Sequence, residues 1–490
     1  MSKKVIVIGS GFAGLSSASF MAKAGWDVTI IEKLSHPGGR ARQLKADGFT
    51  FDMGPSWYWM PDVFEHYFSA FGKKVSDFYS LKRLDPSYKI YWQHDTSDIP
   101  ADINAFRKML ESWEPGAAAA LDKFLIEAKY KYEVGMQKLV YKPGLSIKEF
   151  IDVSVVKGLV KMDLVTSIKK HISRYFSHEK IRQLLEFPVL FLGAMPEKTP
   201  ALYSLMNYAD IVGGTWYPQH GMHSIVDAMH KLAVQLGVKF RFDEPVTGIK
   251  ITAAKAESVV TTKSTYPCDA VIGAADYHFI ETKLLPKPFQ SYTEKYWDSR
   301  TLAPSSLLYY IGVNKKIPGL THHSLFFDTD FQTHGKEIYD NPQWPENPLF
   351  YVSATSVTDP STAPENCENL FFLIPVAAGL NGDDEQLRKK YFNLILNRFE
   401  KRIGISIKNN ITFYKSFAGS DFVNDYNSFK GNAYGLANTL KQTAILKPSC
   451  RSKKVKNLFY AGQLTVPGPG VPPSLISGEV VSEVVIKNFG

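Results

Sequence analysis

The sequence predicts an α/β fold whose principal parallel sheet is assembled from three separated stretches of chain. Three observations predict it. Residues 5–8, "VIVI", read as a buried parallel strand running straight into "GSGFAG", a Gly-x-Gly-x-x-Gly turn at Gly9, Gly11 and Gly14. "CDAVIGAAD" at 268–276 is a second apolar run, entering a small-residue loop at Ala274, Ala275 and Asp276. "NLFYAGQ" at 457–463 is a third, ending at Gly462.

The first stretch carries the most information. After the glycines, an alanine- and serine-rich helix, "LSSASFMAKA", stops at Gly25, where glycine suits a left-handed cap. The next strand, "VTII", leads directly into Glu32, eighteen residues after Gly14. Each part has a mechanical purpose in binding a dinucleotide. Gly9 permits the tight turn, Gly11 lets a pyrophosphate approach the backbone, and Gly14 lets helix and strand pack closely. The helix N-terminus, with Phe12 and Ala13 in its first turn, offers backbone N–H groups to phosphate. Glu32 can accept hydrogen bonds from ribose hydroxyls, which disfavours a 2′-phosphate and hence NADP.

Composition narrows the remaining classes. The 490 residues are 44% hydrophobic and 21% charged, as in a globular chain, with an aromatic share of 13%. The three cysteines (Cys268, Cys367 and Cys450) are far apart and odd in number, which excludes a disulfide framework and suits a reducing cytoplasm. The Lys3-Lys4 start imitates a signal peptide, but glycines interrupt the apolar run after Ile8. No uninterrupted apolar run reaches the ~18 residues of a spanning helix, so a soluble or membrane-surface protein is expected.

The net charge of +9 is concentrated: residues 123–182 hold thirteen Lys or Arg against six Asp or Glu. Aromatic and branched residues alternate with these lysines, as in "KYKYEVGMQKLVYK", which suits anionic lipid headgroups. The competing reading is a solvated basic face on ordinary helices. No recognised nucleic-acid module accompanies the charge.

Several later segments sharpen the ligand. "HPGGRARQ" places Gly38, Gly39 and Arg40 just past Glu32, and "FTFDMGPSW" brings Gly54, Pro55 and Ser56. Residues 220–251 read as a helix capped at Gly237, then strands around Val246. Between Gly462 and Pro473 the chain places Gly468, Gly470, Pro467, Pro469 and Pro472 before a helix resumes. So much glycine and proline either turns a corner or holds backbone against a ligand. Proline near Pro472 suits a first helical turn.

The Gly-Gly-Arg and Gly-Pro-Ser turns resemble those of glutathione-reductase-like flavoproteins, where they lie beside the pyrophosphate and along the flavin. More specifically, "VIVIGSGFAGLSSASFMAKAGWDVTIIEK", "PGGRA", "FDMGPSWYWMPDVF", "GGTWYPQHGMHSIVDAMHKLAVQLGV" and "GQLTVPGPGVPPSLISGEVV" resemble the bacterial phytoene-desaturase-type carotenoid desaturases. The likeness spans the whole chain and includes the run "FLGAMPEKTPALYSLMNY" at 191–208. Gln219-His220 and Gln463 depart from the family's usual residues.

The resemblance implies noncovalent FAD in a glutathione-reductase-like, discontinuous Rossmann domain (1–80, 221–290, 416–490). It implies an antiparallel-sheet substrate domain (81–105, 291–415) and a helical, membrane-facing lid (106–220). The cofactor-binding residues it implies are Gly9, Gly11, Phe12, Ala13, Gly14, Glu32, Lys33, Gly39, Arg40, Gly54, Pro55, Ser56, Val246, Ala275, Gly462, Val471 and Pro472. Trp57, Trp59, Trp216 and Tyr217 are expected to wall a channel for a long apolar carotenoid, with core packing as the alternative. The protein is expected at the cytoplasmic face of the cell membrane.

"SLLYYIGV" and "NLFFLIPVAAGL" read as buried strands, and 383–402 as an amphipathic helix with Leu387, Tyr391, Ile395 and Phe399 on its core face. Desaturation removes a hydride and a proton, and the flavin supplies the redox step, so no catalytic side chain and no metal is assigned. His220, His223 and His230 read as surface or cap histidines, with His220 a conceivable proton acceptor.

Three readings of function stay open. They are an FAD-dependent carotenoid desaturase, another oxidase (amine or porphyrinogen) on this fold, and a non-enzymatic lipid-chain carrier. Within the first, an aromatic channel without an evident polar cluster points to stepwise desaturation of phytoene toward lycopene. The alternative is 3,4-desaturation of a hydroxylated carotenoid.

Overall fold

The computed structural model describes residues 2–150, 166–190, 193–439 and 441–489. A five-stranded parallel sheet forms its base, in the order Leu458–Tyr460, Ala270–Gly273, Lys4–Ile8, Asp27–Ile31, Lys239–Arg241. The three apolar runs separated in sequence are therefore neighbours in space. Parallel strands are covered on both faces, and Val5, Ile6, Val7 and Ile8 are all buried, as "VIVI" predicts.

Helix Phe12–Lys23 lies on this sheet, and the C-terminal helix Val471–Phe489 packs against it in turn. A Cβ at Gly478 would lie 2.6 Å from the Ala13 carbonyl oxygen, so glycine lets these two helices touch backbone to backbone. The strands Val246–Thr252, Lys255–Thr261 and Thr265–Pro267 form a small antiparallel sheet beside the base.

A second, seven-stranded sheet runs Ile411–Phe417, Ser305–Val313, Glu368–Val376, Phe350–Ser353, His323–Phe327, Tyr88–Trp92, Thr96–Ile99. It is antiparallel except where His323–Phe327 meets Tyr88–Trp92. Strand Ser305–Val313 is buried throughout because both of its faces are covered. Leu307, Tyr309, Ile311 and Val313 pack with helix Glu385–Ile403, through Tyr391, Ile395 and Phe399, while Leu387 is half-buried. Leu308 and Tyr310 point the other way, into the largest core cluster.

Two features differ from the expected organisation. Leu81–Arg83 does not join the large sheet; it pairs with Trp216–Pro218, and only the two later strands of 81–105 enter the sheet. Strand Ile411–Phe417 carries that sheet across the expected boundary at 415.

The 106–220 region is helical where described, with helices Ala117–Val134, Ile168–Ile172, Glu179–Leu190 and Leu205–Ile211. Residues 151–165, in which two lysines balance two aspartates, lie outside the described residues. Not all of the basic surplus is surface. Lys131 is fully buried, its Nζ donating to the Ala201 carbonyl (3.2 Å) and Ser204 Oγ (3.3 Å). Lys169 and Lys180 are paired with Glu197 and Asp95. No described helix is long and apolar enough to cross a membrane.

Candidate functional site: one cavity between the two sheets

A cavity of about 560 Å³ opens between the parallel base and one face of the seven-stranded sheet, within the range of sites for large organic ligands. Its polar part is built by the N-terminal motif, and the three glycines act in three ways. Gly9 has φ +100°, and a Cβ there would press on the Ala274–Ala275 backbone at 3.1–3.2 Å. A Cβ on Gly14 would stand 2.0 Å from the Gly9 carbonyl oxygen, so Gly14 serves helix–strand packing and does not itself line the cavity. A Cβ on Gly11 would meet nothing within 4 Å, because Gly11 borders the open space.

Gly11 is also the N-cap of helix Phe12–Lys23, which has neither a side-chain cap nor an acidic residue in its first turn. Its first N–H groups lack intrahelical acceptors and border the cavity at Phe12 and Ala13. The end of the second strand adds Glu32, which is buried and rigidly held. Its Oε2 accepts from Ser10 N (2.8 Å) and Ser10 Oγ (2.7 Å), and its Oε1 from Leu34 N (2.9 Å). Lys33 also lines the cavity, its Nζ donating to the Asn424 carbonyl at 2.7 Å.

Arg40 supplies the positive charge. Its Nη2 donates to two neutral oxygens, Ser428 Oγ (3.0 Å) and the Asn432 carbonyl (3.3 Å), while its buried Nε has no partner. Burial pulls its pKa down; Asp276, the nearest carboxylate influence, acts against this. Asp276 is itself fixed, accepting from Phe279 N and Phe429 N, both at 3.1 Å, and burial raises its pKa. A buried guanidinium lining the cavity together with a glycine turn at a helix N-terminus is a donor set that suits a pyrophosphate.

Gly39 and Gly54 line the same wall; a Cβ on Gly54 would lie 2.4 Å from the Arg40 carbonyl oxygen. Pro55, Ser56, Val246 and Ala275 border the cavity too. From the C-terminal stretch come Gly462, Gln463, Pro469, Gly470, Val471 and Pro472, so the Gly/Pro loop borders the open space. Helix Val471–Phe489 begins there, its N-terminus at the cavity wall.

The remaining wall is largely apolar. Tyr351, Leu373 and Leu308 are register partners on three adjacent strands and form one row across the sheet. Trp57, Trp59 and Met60 face the cavity from the segment after Gly54, and Pro188 and Met206 from the helical region.

Trp216 and Tyr217, expected in this channel, are not there. They occupy a short edge strand paired with Leu81–Arg83, which turns them from the cavity. The Trp216 indole N–H donates to the Gly213 carbonyl (2.9 Å), and the buried Tyr217 hydroxyl reaches Asp359 (3.2 Å). The residue of this segment that matters to the cavity is Thr215, whose Oγ1 accepts the Trp59 indole N–H at 2.8 Å.

None of the three histidines lines the cavity. His220 has a mostly exposed side chain, His223 Nδ1 meets the Ala41 carbonyl (2.9 Å), and the His230 ring lies against Phe240. Among the described residues no group of three His, Cys, Asp or Glu is placed to hold a metal ion.

Ser10, Asp276, Ser306, Tyr351 and Leu373 are wall or support residues that reading the sequence missed. Ser10 had a signal, lying inside the glycine motif. For the strand residues, alternation shows that every second side chain shares a face but not which face meets a cavity.

Comparison with known proteins agrees with this architecture. Residues 12–486 match the family described as flavin containing amine oxidoreductase. The chain is 41% identical over 490 residues to a carotenoid 3,4-desaturase of Haloarcula japonica, covering 99% of this chain and 98% of that one. It is 31% identical to a zeta-carotene-forming phytoene desaturase of Myxococcus xanthus, covering 98% and 93%. An oxidoreductase of known structure from Methanosarcina mazei superposes with a TM-score of 0.63 at 16% identity, covering 98% and 100%. The chain belongs to the flavin-containing amine oxidoreductase family, among its carotenoid desaturases, and is a flavin-dependent oxidoreductase.

Proposed function

We propose that this enzyme is an FAD-dependent carotenoid desaturase that dehydrogenates phytoene stepwise toward lycopene. The carrying observation is the continuity of one cavity from Glu32 and Arg40 to the row Tyr351, Leu373 and Leu308. Supporting FAD over a shorter flavin is the polar end: a glycine turn for pyrophosphate and a fixed carboxylate for an adenosine ribose. The flavin-binding share is then 1–80, 221–290 and 418–490, since strand Ile411–Phe417 belongs to the large sheet. A flavin held by these residues would supply the hydride acceptor. This chain's residues orient the polyene between the aromatic wall and the sheet, and they exclude water. The N-terminus of helix Val471–Phe489 favours negative charge at the flavin.

A second reading, 3,4-desaturation of a hydroxylated carotenoid, is favoured by Ser306. Its Oγ is buried without a partner on the cavity wall, where a substrate hydroxyl would satisfy it. The test supplies phytoene in liposomes to the FAD-loaded enzyme and follows the absorption spectrum. Stepwise red shifts support the phytoene reading. No shift, alongside turnover of a hydroxylated carotenoid that Ser306→Ala weakens, supports the second.

Such a substrate resides in lipid, and peripheral membrane binding is part of the proposal. Leu145, Ile445 and Leu446 are exposed where Gly144 approaches Ala444, with exposed Lys142, Lys148 and Lys441 on the same two segments. Apolar side chains flanked by lysines suit an anionic bilayer surface.

A further inference from the structure

Desaturation releases a proton as well as a hydride, and the apolar wall must provide somewhere for it to go. Tyr351 lies in the wall row beside Leu373 and Leu308. Its hydroxyl is 2.6 Å from His323 Nδ1. The two residues are diagonal neighbours on adjacent antiparallel strands, His323 opposite Ser353 and Tyr351 opposite Leu325, which places their side chains on one face.

The imidazole is held in place. The His323 ring stacks on the cavity-lining Trp57 indole, with centroids 4.1 Å apart and planes 10° apart. His323 is fully buried and its Nε2 has no partner. Burial, with His322 beside it, disfavours the protonated ring, so His323 rests neutral with a weakly basic Nδ1 lone pair on the Tyr351 hydroxyl.

We propose that Tyr351, backed by His323, is the proton acceptor of the desaturation; this rests on the carotenoid-desaturase reading. One substrate C–H bond breaks with its electron pair, which leaves as hydride to the oxidised flavin. The adjacent C–H bond breaks, and its pair becomes the second bond of the new C=C. That proton goes to Tyr351 Oη while the hydroxyl proton passes to His323 Nδ1. An allylic cation is acidic enough for so weak a base.

An exit lies on the same side. A second cavity of about 10 Å³, room for about one water, is lined by Asp52, Ser56, Tyr217 and Ser353 among others. Ser56 borders both cavities, and the Ser56 and Ser353 hydroxyls both act on the Tyr351 hydroxyl. Beyond it, the Tyr217 hydroxyl meets Asp359 Oδ2 (3.2 Å), and His220, exposed at the surface, has its Nδ1 3.8 Å from the same oxygen. The polar groups thus run from the substrate wall to solvent.

The test uses the FAD-loaded full chain, with Tyr351→Phe and His323→Gln as variants. The first removes the hydroxyl while keeping the ring; the second keeps an acceptor for Tyr351 but no base. Both are expected to load flavin as the parent does, and to lose turnover by roughly 10²–10⁴-fold. Deuterium on the carbon that loses the proton should slow Tyr351→Phe more than the parent, which a purely structural role would not produce. Independently of turnover, ¹⁵N-histidine NMR should show His323 neutral with an accepting Nδ1, whose shift moves in Tyr351→Phe. Turnover of either variant within threefold of the parent, an unchanged isotope effect, or a protonated Nδ1 in the parent overturns the assignment. A parent inactive on every carotenoid overturns the functional reading beneath it, and this proposal with it.

Discussion

The Trp59 indole N–H donates to Thr215 Oγ1 at 2.8 Å, and Thr215 Oγ1 in turn donates to Asp210 Oδ1 at 3.1 Å. The Tyr88 hydroxyl meets the other Asp210 oxygen at 2.8 Å. An aromatic wall residue is thus pinned by a buried polar ladder. Thr215→Val keeps the volume but leaves the Trp59 N–H without an acceptor. It is expected to lower stability by about 1–3 kcal/mol, read from urea unfolding; an unchanged midpoint would contradict the role of this ladder.

Asp210 makes a pH-dependent prediction. Burial raises its carboxyl from the ordinary 3.8 to about 7. The stability that its bound proton contributes is fully present below pH 3.8 and is lost as pH rises through 7. Asp210→Asn cannot titrate, so its stability relative to the parent should rise by up to about 1.4 kcal/mol per pH unit between pH 4 and 7. Unfolding midpoints across that range check it, and a difference independent of pH would count against it.

Two glycines separated by three positions should behave oppositely. Gly11→Val has clear space at its Cβ, so the protein is expected to fold yet purify largely colourless, its side chain taking the place of the pyrophosphate. Gly14→Ala would drive a methyl group to 2.0 Å from the Gly9 carbonyl and is expected to destabilise the fold itself, by about 1–3 kcal/mol or more. Visible absorption and thermal unfolding of both variants separate the two effects. Full flavin occupancy in Gly11→Val refutes the placement.

Membrane binding should have two components. Flotation with anionic liposomes is expected to weaken as salt rises without vanishing, because screening removes only the electrostatic part. Leu446→Asp should lower binding to neutral and anionic vesicles alike. Equal partition of the parent into both vesicle types would contradict a role for the lysines.

Much of the polar end was legible in the sequence because each requirement there is local. Gly9, Gly11, Gly14 and Glu32 follow from a turn, an approach, a close packing and a strand end, all within one βαβ unit. The Gly/Pro loop was legible for the same reason. The apolar end was not, because its walls are set by which face of a strand meets the cavity. Trp216 and Tyr217 have the right chemistry, but pairing with Leu81–Arg83 turns them aside, and Thr215 contributes instead. Tyr351 and His323, nearly thirty positions apart, meet only through strand register. Lys131 carries a similar lesson, since a lysine counted toward a basic surface is buried against helix-end oxygens.

Direct hydride transfer requires that this one cavity bring flavin and carotenoid together. Its most direct test is anaerobic mixing of the FAD-loaded enzyme with phytoene in liposomes, following the flavin's visible absorption and extracting the carotenoid. The flavin band is expected to bleach as phytoene gains a double bond, with one flavin reduced per bond formed. A flavin that stays oxidised with phytoene and with a hydroxylated carotenoid alike would contradict it.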